Sequence, residues 1–115
     1  MKRLTISRLA DLNCKASAVS EAFNEKSIPY HLISTVNWAD FSYCPEVKFR
    51  IAHNGNAVFL NFKVDENDIK AVADADNGKV WEDSCVEFFV SFDGEAYYNI
   101  ECNCIGKILL GYGAP

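Results

Sequence analysis

The 115-residue sequence predicts a mainly β fold, an antiparallel β-sandwich or a piece of one, with one short N-terminal helix. Three observations predict it. Apolar residues alternate with a period of two in several runs, and turn-forming pairs such as Asn54-Gly55 and Asp93-Gly94 punctuate those runs. A helical period occurs once, near the N-terminus. The length fits a single domain over 1–115, with a helical lead-in at 1–28 and a β region at 29–115.

In chain order, Ala16, Val19, Ala22 and Phe23 recur at helical spacing between Lys15 and Lys26 and predict a short amphipathic helix. The Ile28-Pro29 step ends it, because proline lacks the amide donor and restricts its predecessor. Tyr30 to Val36 alternates with apolar groups on both sides, which predicts a strand reaching into the core. The aromatic run from Trp38 to Pro45 has no clean period and reads as a loop anchored by buried rings.

From Val47 the pattern sharpens. Val47, Phe49 and Ile51 are expected to face one way, and Lys48, Arg50 and Ala52 the other, on a half-exposed strand. Asn54-Gly55 then suits a type I′ hairpin turn, with Val58, Leu60, Phe62 and Val64 alternating on the return. Residues 65–79 are acidic and rich in turn formers, a surface connection. A second hairpin runs from Val86, Phe88, Val90 and Phe92 through Asp93-Gly94-Glu95 to Tyr98, Ile100, Cys102 and Cys104, and Gly106 to Gly111 reads as a further strand.

Charge narrows the range of partners. Eleven Lys plus Arg against sixteen Asp plus Glu give a formal charge of −5, which opposes binding to a phosphate backbone. No apolar run approaches the ~20 residues needed to span a bilayer, and the first residues carry no apolar signal core. The sequence as given therefore reads as cytoplasmic, or extracellular if a leader precedes it. The five cysteines are odd in number and lack CxxC spacing, so reduced, mostly buried thiols are expected, with Cys102 and Cys104 on one face.

The stretch Val80-Trp81-Glu82-Asp83-Ser84-Cys85-Val86-Glu87-Phe88-Phe89-Val90, followed by Tyr97-Tyr98-Asn99-Ile100-Glu101-Cys102-Asn103, resembles the central signature of the family 9-like carbohydrate-binding modules, which have a DOMON-like β-sandwich. Pro45 to His53 and Val64-Asp65-Glu66 are similar to the same family, so the resemblance runs from about Pro29 to Gly113. It implies non-catalytic binding of a mono- or oligosaccharide of glucose or xylose type, with calcium supporting the loops. It also implies that Trp81 stacks on the sugar and that Glu87 accepts hydrogen bonds from hydroxyls. Such domains are usually near twice this length, and a second stacking aromatic comes from the later half. A shortened sandwich exposes an apolar face, which a homodimer, strand exchange or a further segment would cover.

Each of these residues also has a plainer reading. Trp81 fits either a core ring or a sugar platform, and Glu87 fits a solvated strand face. Asp83 is a further carbohydrate-binding candidate, and it could also cap a helix, ligate calcium or fix Trp81. Asn99, Glu101 and Asn103 share one strand face, either a sugar platform or a wet surface. Asp65, Glu66 and Asp68, and Asp74, Asp76 and Asn77, offer oxygens that calcium prefers but match no EF-hand loop. Glu87 and Glu101 could pair as glycosidase carboxylates, although no motif supports catalysis. A protein-interaction or structural β domain, recruiting a partner by strand addition at a free edge, is the alternative function.

Overall fold

The computed structural model describes residues 2–34, 45–66 and 68–114. They are mostly strands in two antiparallel-rich sheets with one short helix, the element content of a β-sandwich. The sheets fall in two compact units, Met1–Glu66 and Asn67–Pro115.

In the first unit, β1 (Ser7–Arg8) precedes a 3-10 turn at Ala16–Ala18 and helix α1 (Val19–Glu25). The helix ends where Ser27 turns left-handed at φ 54° and the Ile28 amide donates to the Phe23 carbonyl at 3.0 Å. This Schellman-type closure satisfies orphan carbonyls and carries Ile28 inward, where it is buried. Strand β2 (His31–Ile33) then runs antiparallel to β3 (Glu46–His53). It is not the core strand expected from Tyr30 to Val36, because Leu32 is 66% exposed. Most of the expected Trp38 to Pro45 loop lies outside the described residues.

Strand β3 is the axis of this sheet. It pairs along its length with β4 (Val58–Asp65), and its other edge takes β2 and, in parallel, β1. Ala52 is fully buried with Leu12, Val19, Phe23 and Ile28, and Phe59 packs against them. The side that carries Arg50 and Ala52 is therefore the one under the helix. Arg50, on that side, is only 2% exposed. Its guanidinium donates to Asn61 Oδ1 (2.8 and 3.1 Å), Asn24 Oδ1 (2.8 Å) and the Ser20 carbonyl (3.2 Å), and it stacks 4.3 Å from the Tyr30 ring centroid. A delocalised, weakly hydrated cation can be buried when amide oxygens and a ring face meet it in this way.

The β3–β4 hairpin forms as expected, but its turn differs. His53 pairs with Val58, so four residues lie between, and the Asn54 amide donates to the Ala57 carbonyl at 3.2 Å. Gly55, not the Asn54-Gly55 pair, occupies the first central position, with φ 97°. Asn54 Oδ1 meanwhile accepts from the Asn56 and Ala57 amides. The sign of φ is that of a type II′ turn rather than type I′.

The second unit is a meander. Residues 68–79 carry no helix or strand and lead into a 3-10 turn at Val80–Glu82. Then β5 (Cys85–Val90), β6 (Tyr97–Asn103) and β7 (Ile108–Gly113) pair antiparallel in sequence order. The β5–β6 turn is tied by Asp93 Oδ1, which accepts from the Glu95 and Ala96 amides, while Gly94 supplies φ 80°. One face of this sheet is apolar, with Val86, Phe88, Val90, Tyr98, Ile100, Cys102, Ile108, Leu110 and Tyr112, and its Tyr98 and Tyr112 rings stack at 4.7 Å.

Among the described residues, Cys14, Cys85, Cys102 and Cys104 are free thiols. They are not mostly buried, since Cys104 is exposed and the other three are half-buried. Cys104 lies beyond the end of β6, where the chain turns and the strand alternation that would have placed it beside Cys102 stops.

Candidate functional site

The other face of the β5–β6–β7 sheet collects most of the polar residues singled out in the sequence. The register sets Glu87 opposite Glu101, Phe89 opposite Asn99, and Cys85 opposite Asn103. On β7 the same face carries Leu109 opposite Glu101, then Gly111 opposite Asn99 and Gly113 opposite Tyr97. Residues opposed across antiparallel strands point the same way, so Glu87, Phe89, Asn99 and Glu101 share one surface.

Glycine shapes this surface. A Cβ at Gly111 would meet the Asn99 Cβ at 4.0 Å, and a Cβ at Gly113 would meet nothing within 4 Å. The flank beside Asn99 is open for that reason.

The polar groups are not balanced. Asn99 Nδ2 donates to Glu101 Oε1 at 3.2 Å. Asn99 Oδ1 and Glu101 Oε2 are buried yet receive no hydrogen bond, and Glu101 is only 7% exposed. Glu87 is exposed at the rim. Burial, then the charge of Glu101 and a hydrogen bond with it, push the Glu87 carboxyl above the ordinary carboxylate range. Cys85 senses the same field: burial first, then the charges of Glu87, Glu101 and Asp83, raise its thiol to about 11. This thiol is no nucleophile.

Asp83 and Asn103 do different work from that expected. Asp83 accepts from the Val72 and Ala73 amides, both at 2.9 Å, and from Asn103 Nδ2 at 3.1 Å. These bonds, the Val72 amide foremost, hold its carboxyl below the usual range. Asn103 also donates to the Ala73 carbonyl, and its Oδ1 accepts from the Ile105 and Lys107 amides. All of its polar capacity goes into fixing the preceding loop and the β6–β7 turn, so it is a framework residue beside the polar face.

Trp81 lies in the 3-10 turn that packs against β5 and β6, and the residue is 52% exposed while its neighbour Val80 is fully buried. Sequence reasoning missed Phe89. It is 55% exposed on the Glu87 face and tilts against Tyr97, with ring centroids 5.8 Å apart. The signal was its two-residue offset from Glu87, masked by the Val86, Phe88, Val90 row.

The acidic stretches contribute bonds to the second sheet. Asp76 Oδ1 accepts from the Ile108 amide, and Asn77 bonds the Ile108 carbonyl and the Leu110 amide, so both latch the outer edge of β7. Asp65 ends β4 opposite Glu46, while Asp68 and Asp74 are exposed. Among the described residues, no three His, Cys, Asp or Glu side chains gather as a metal set. The latch occupies part of the outer edge of β7, one of the edges at which a partner strand could add.

Residues 17–115 match the model of carbohydrate-binding family 9. The chain belongs to carbohydrate-binding family 9. A solved structure of a candidate carbohydrate-binding protein from Bacteroides uniformis is similar at 45% identity with a TM-score of 0.91, over 96% of this chain and 52% of that one. The family 9 chain thus spans about half the length of that protein. No curated protein matches it. No helix among the described residues of this family 9 domain is long and apolar enough to cross a membrane.

Proposed function

We propose that the polar face of the β5–β6–β7 sheet binds a mono- or oligosaccharide without acting on it. Trp81 and Phe89 offer apolar ring faces to the C–H face of a pyranose, and Glu87, Asn99 and Glu101 accept from its hydroxyls. The observation that carries this reading is the pair of buried oxygens without a donor, Asn99 Oδ1 and Glu101 Oε2, on the same surface as an exposed aromatic ring. Buried acceptors left unpaired are costly, and a ligand rich in hydroxyl donors supplies what they lack.

A tryptophan-fluorescence titration with xylose, glucose, cellobiose and xylobiose tests the reading. A saturable change in the wild type, lost in Trp81→Ala and in Glu87→Ala, is the expected result. Silence with every sugar at millimolar concentration would overturn it.

A further inference from the structure

The site is short of hydrogen-bond donors and carries more negative charge than its surroundings neutralise. Glu87 and Glu101 oppose one another across adjacent strands, Glu101 is nine-tenths buried with one oxygen unpaired, and the neighbouring Asn99 oxygen is unpaired too. Asn99 Nδ2 gives one of its protons to Glu101 Oε1. A neutral hydroxyl brings one proton to such a site. An alkylammonium brings three from a single atom, together with the missing positive charge.

We propose that this site selects an amino sugar, a pyranose with a protonated primary amine, over its neutral counterpart. The inference rests on the sugar-binding reading above and adds the ligand class. The ammonium lies between the Glu87 and Glu101 carboxylates and donates its third proton to Asn99 Oδ1. The open flank made by Gly111 and Gly113 admits the ring beside Asn99. Phe89 and Trp81 then cover the apolar face of the sugar, as they would for any pyranose. Burial first, and then the neighbouring acidic charges, raise both the Glu87 carboxyl and the Cys85 thiol.

The test compares glucosamine, glucose and N-acetylglucosamine by isothermal titration at about pH 6.5, where an amine titrating near pH 8 is charged. Glucosamine is expected to bind about tenfold or more tightly than glucose, the lower end of what a charge-assisted hydrogen bond contributes. Acetylation, which removes the charge, should abolish that advantage. Glu101→Gln should bring the ratio of the two affinities close to one, and Gly111→Val should weaken glucosamine by filling the open flank, with circular dichroism confirming that each variant is folded.

Glucose binding as tightly as glucosamine would overturn the amino-sugar inference while leaving the sugar site standing. Binding of none of the three would overturn both. Methylammonium competing as well as glucosamine would also overturn it, because the carboxylates would then hold a bare cation rather than a sugar.

Discussion

Glu87 and Glu101 are direct cross-strand partners of like charge, one at the rim and one beneath it. On the same face β7 contributes only Leu109 and glycines. An acid whose carboxyl is raised by folding contributes stability that is complete below its unfolded value and is lost as pH rises through its folded value. Glu87→Gln should therefore raise the melting temperature at pH 7, and the gain should shrink towards pH 4. A gain that stays constant across that range would show that the like-charge contact is not its source.

Asn103 holds the Ala73 carbonyl, the Asp83 carboxylate and two turn amides at once, and it is buried. Asn103→Ala leaves these partners unsatisfied and is expected to cost about 2–3 kcal/mol in urea denaturation. Sugar affinity should fall with it, because Trp81 lies two residues before Asp83. A loss below half a kilocalorie would mean that water replaces the side chain at no cost.

Phe89 covers no core, since more than half of it is exposed. Phe89→Ala should leave the melting temperature within a degree or two. Sugar affinity should drop by about tenfold to a hundredfold if this ring is worth what other aromatic platforms are. Unchanged affinity in calorimetry would remove Phe89 from the site and leave Trp81 as the ring to examine.

Arg50 is the buried cation of the first unit, bonded to Asn24, Asn61 and Ser20. Arg50→Ala removes these bonds and its ring stacking, and should destabilise by about 2–4 kcal/mol in equilibrium denaturation. Arg50→Lys should recover only part of this, because an ammonium cannot reproduce the planar fork between Asn24 and Asn61. Full recovery by lysine would show that charge alone matters there.

Much of this architecture is legible in the sequence because period and punctuation are local properties. Val58 to Val64 and Tyr97 to Asn103 alternate cleanly, and Asn54-Gly55 and Asp93-Gly94 announce their hairpins. The shared face of Asn99, Glu101 and Asn103 follows from the same arithmetic. What escaped reading depends on partners distant in the chain. Arg50 looks like a surface residue until α1 brings Asn24 and Ser20 over it. Asp83 and Asn103 read as ligand contacts, yet they spend their bonds on residues 72, 73, 105 and 107. The Asn54 turn slipped because Gly55 can serve at either central position, and only backbone pairing decides which.

The order of the second sheet, β5–β6–β7, has a consequence for how its polar face comes into being. Every contact between Glu87, Asn99, Glu101 and Gly111 is closed by a neighbouring hairpin, so no distant segment has to arrive before the surface exists. Local closure costs less chain entropy and is reached sooner than long-range pairing. The polar face should therefore nucleate within its own stretch of chain. In refolding monitored by pulsed hydrogen exchange, amides of β6 should gain protection ahead of those of β1, which must find β3 across more than forty residues.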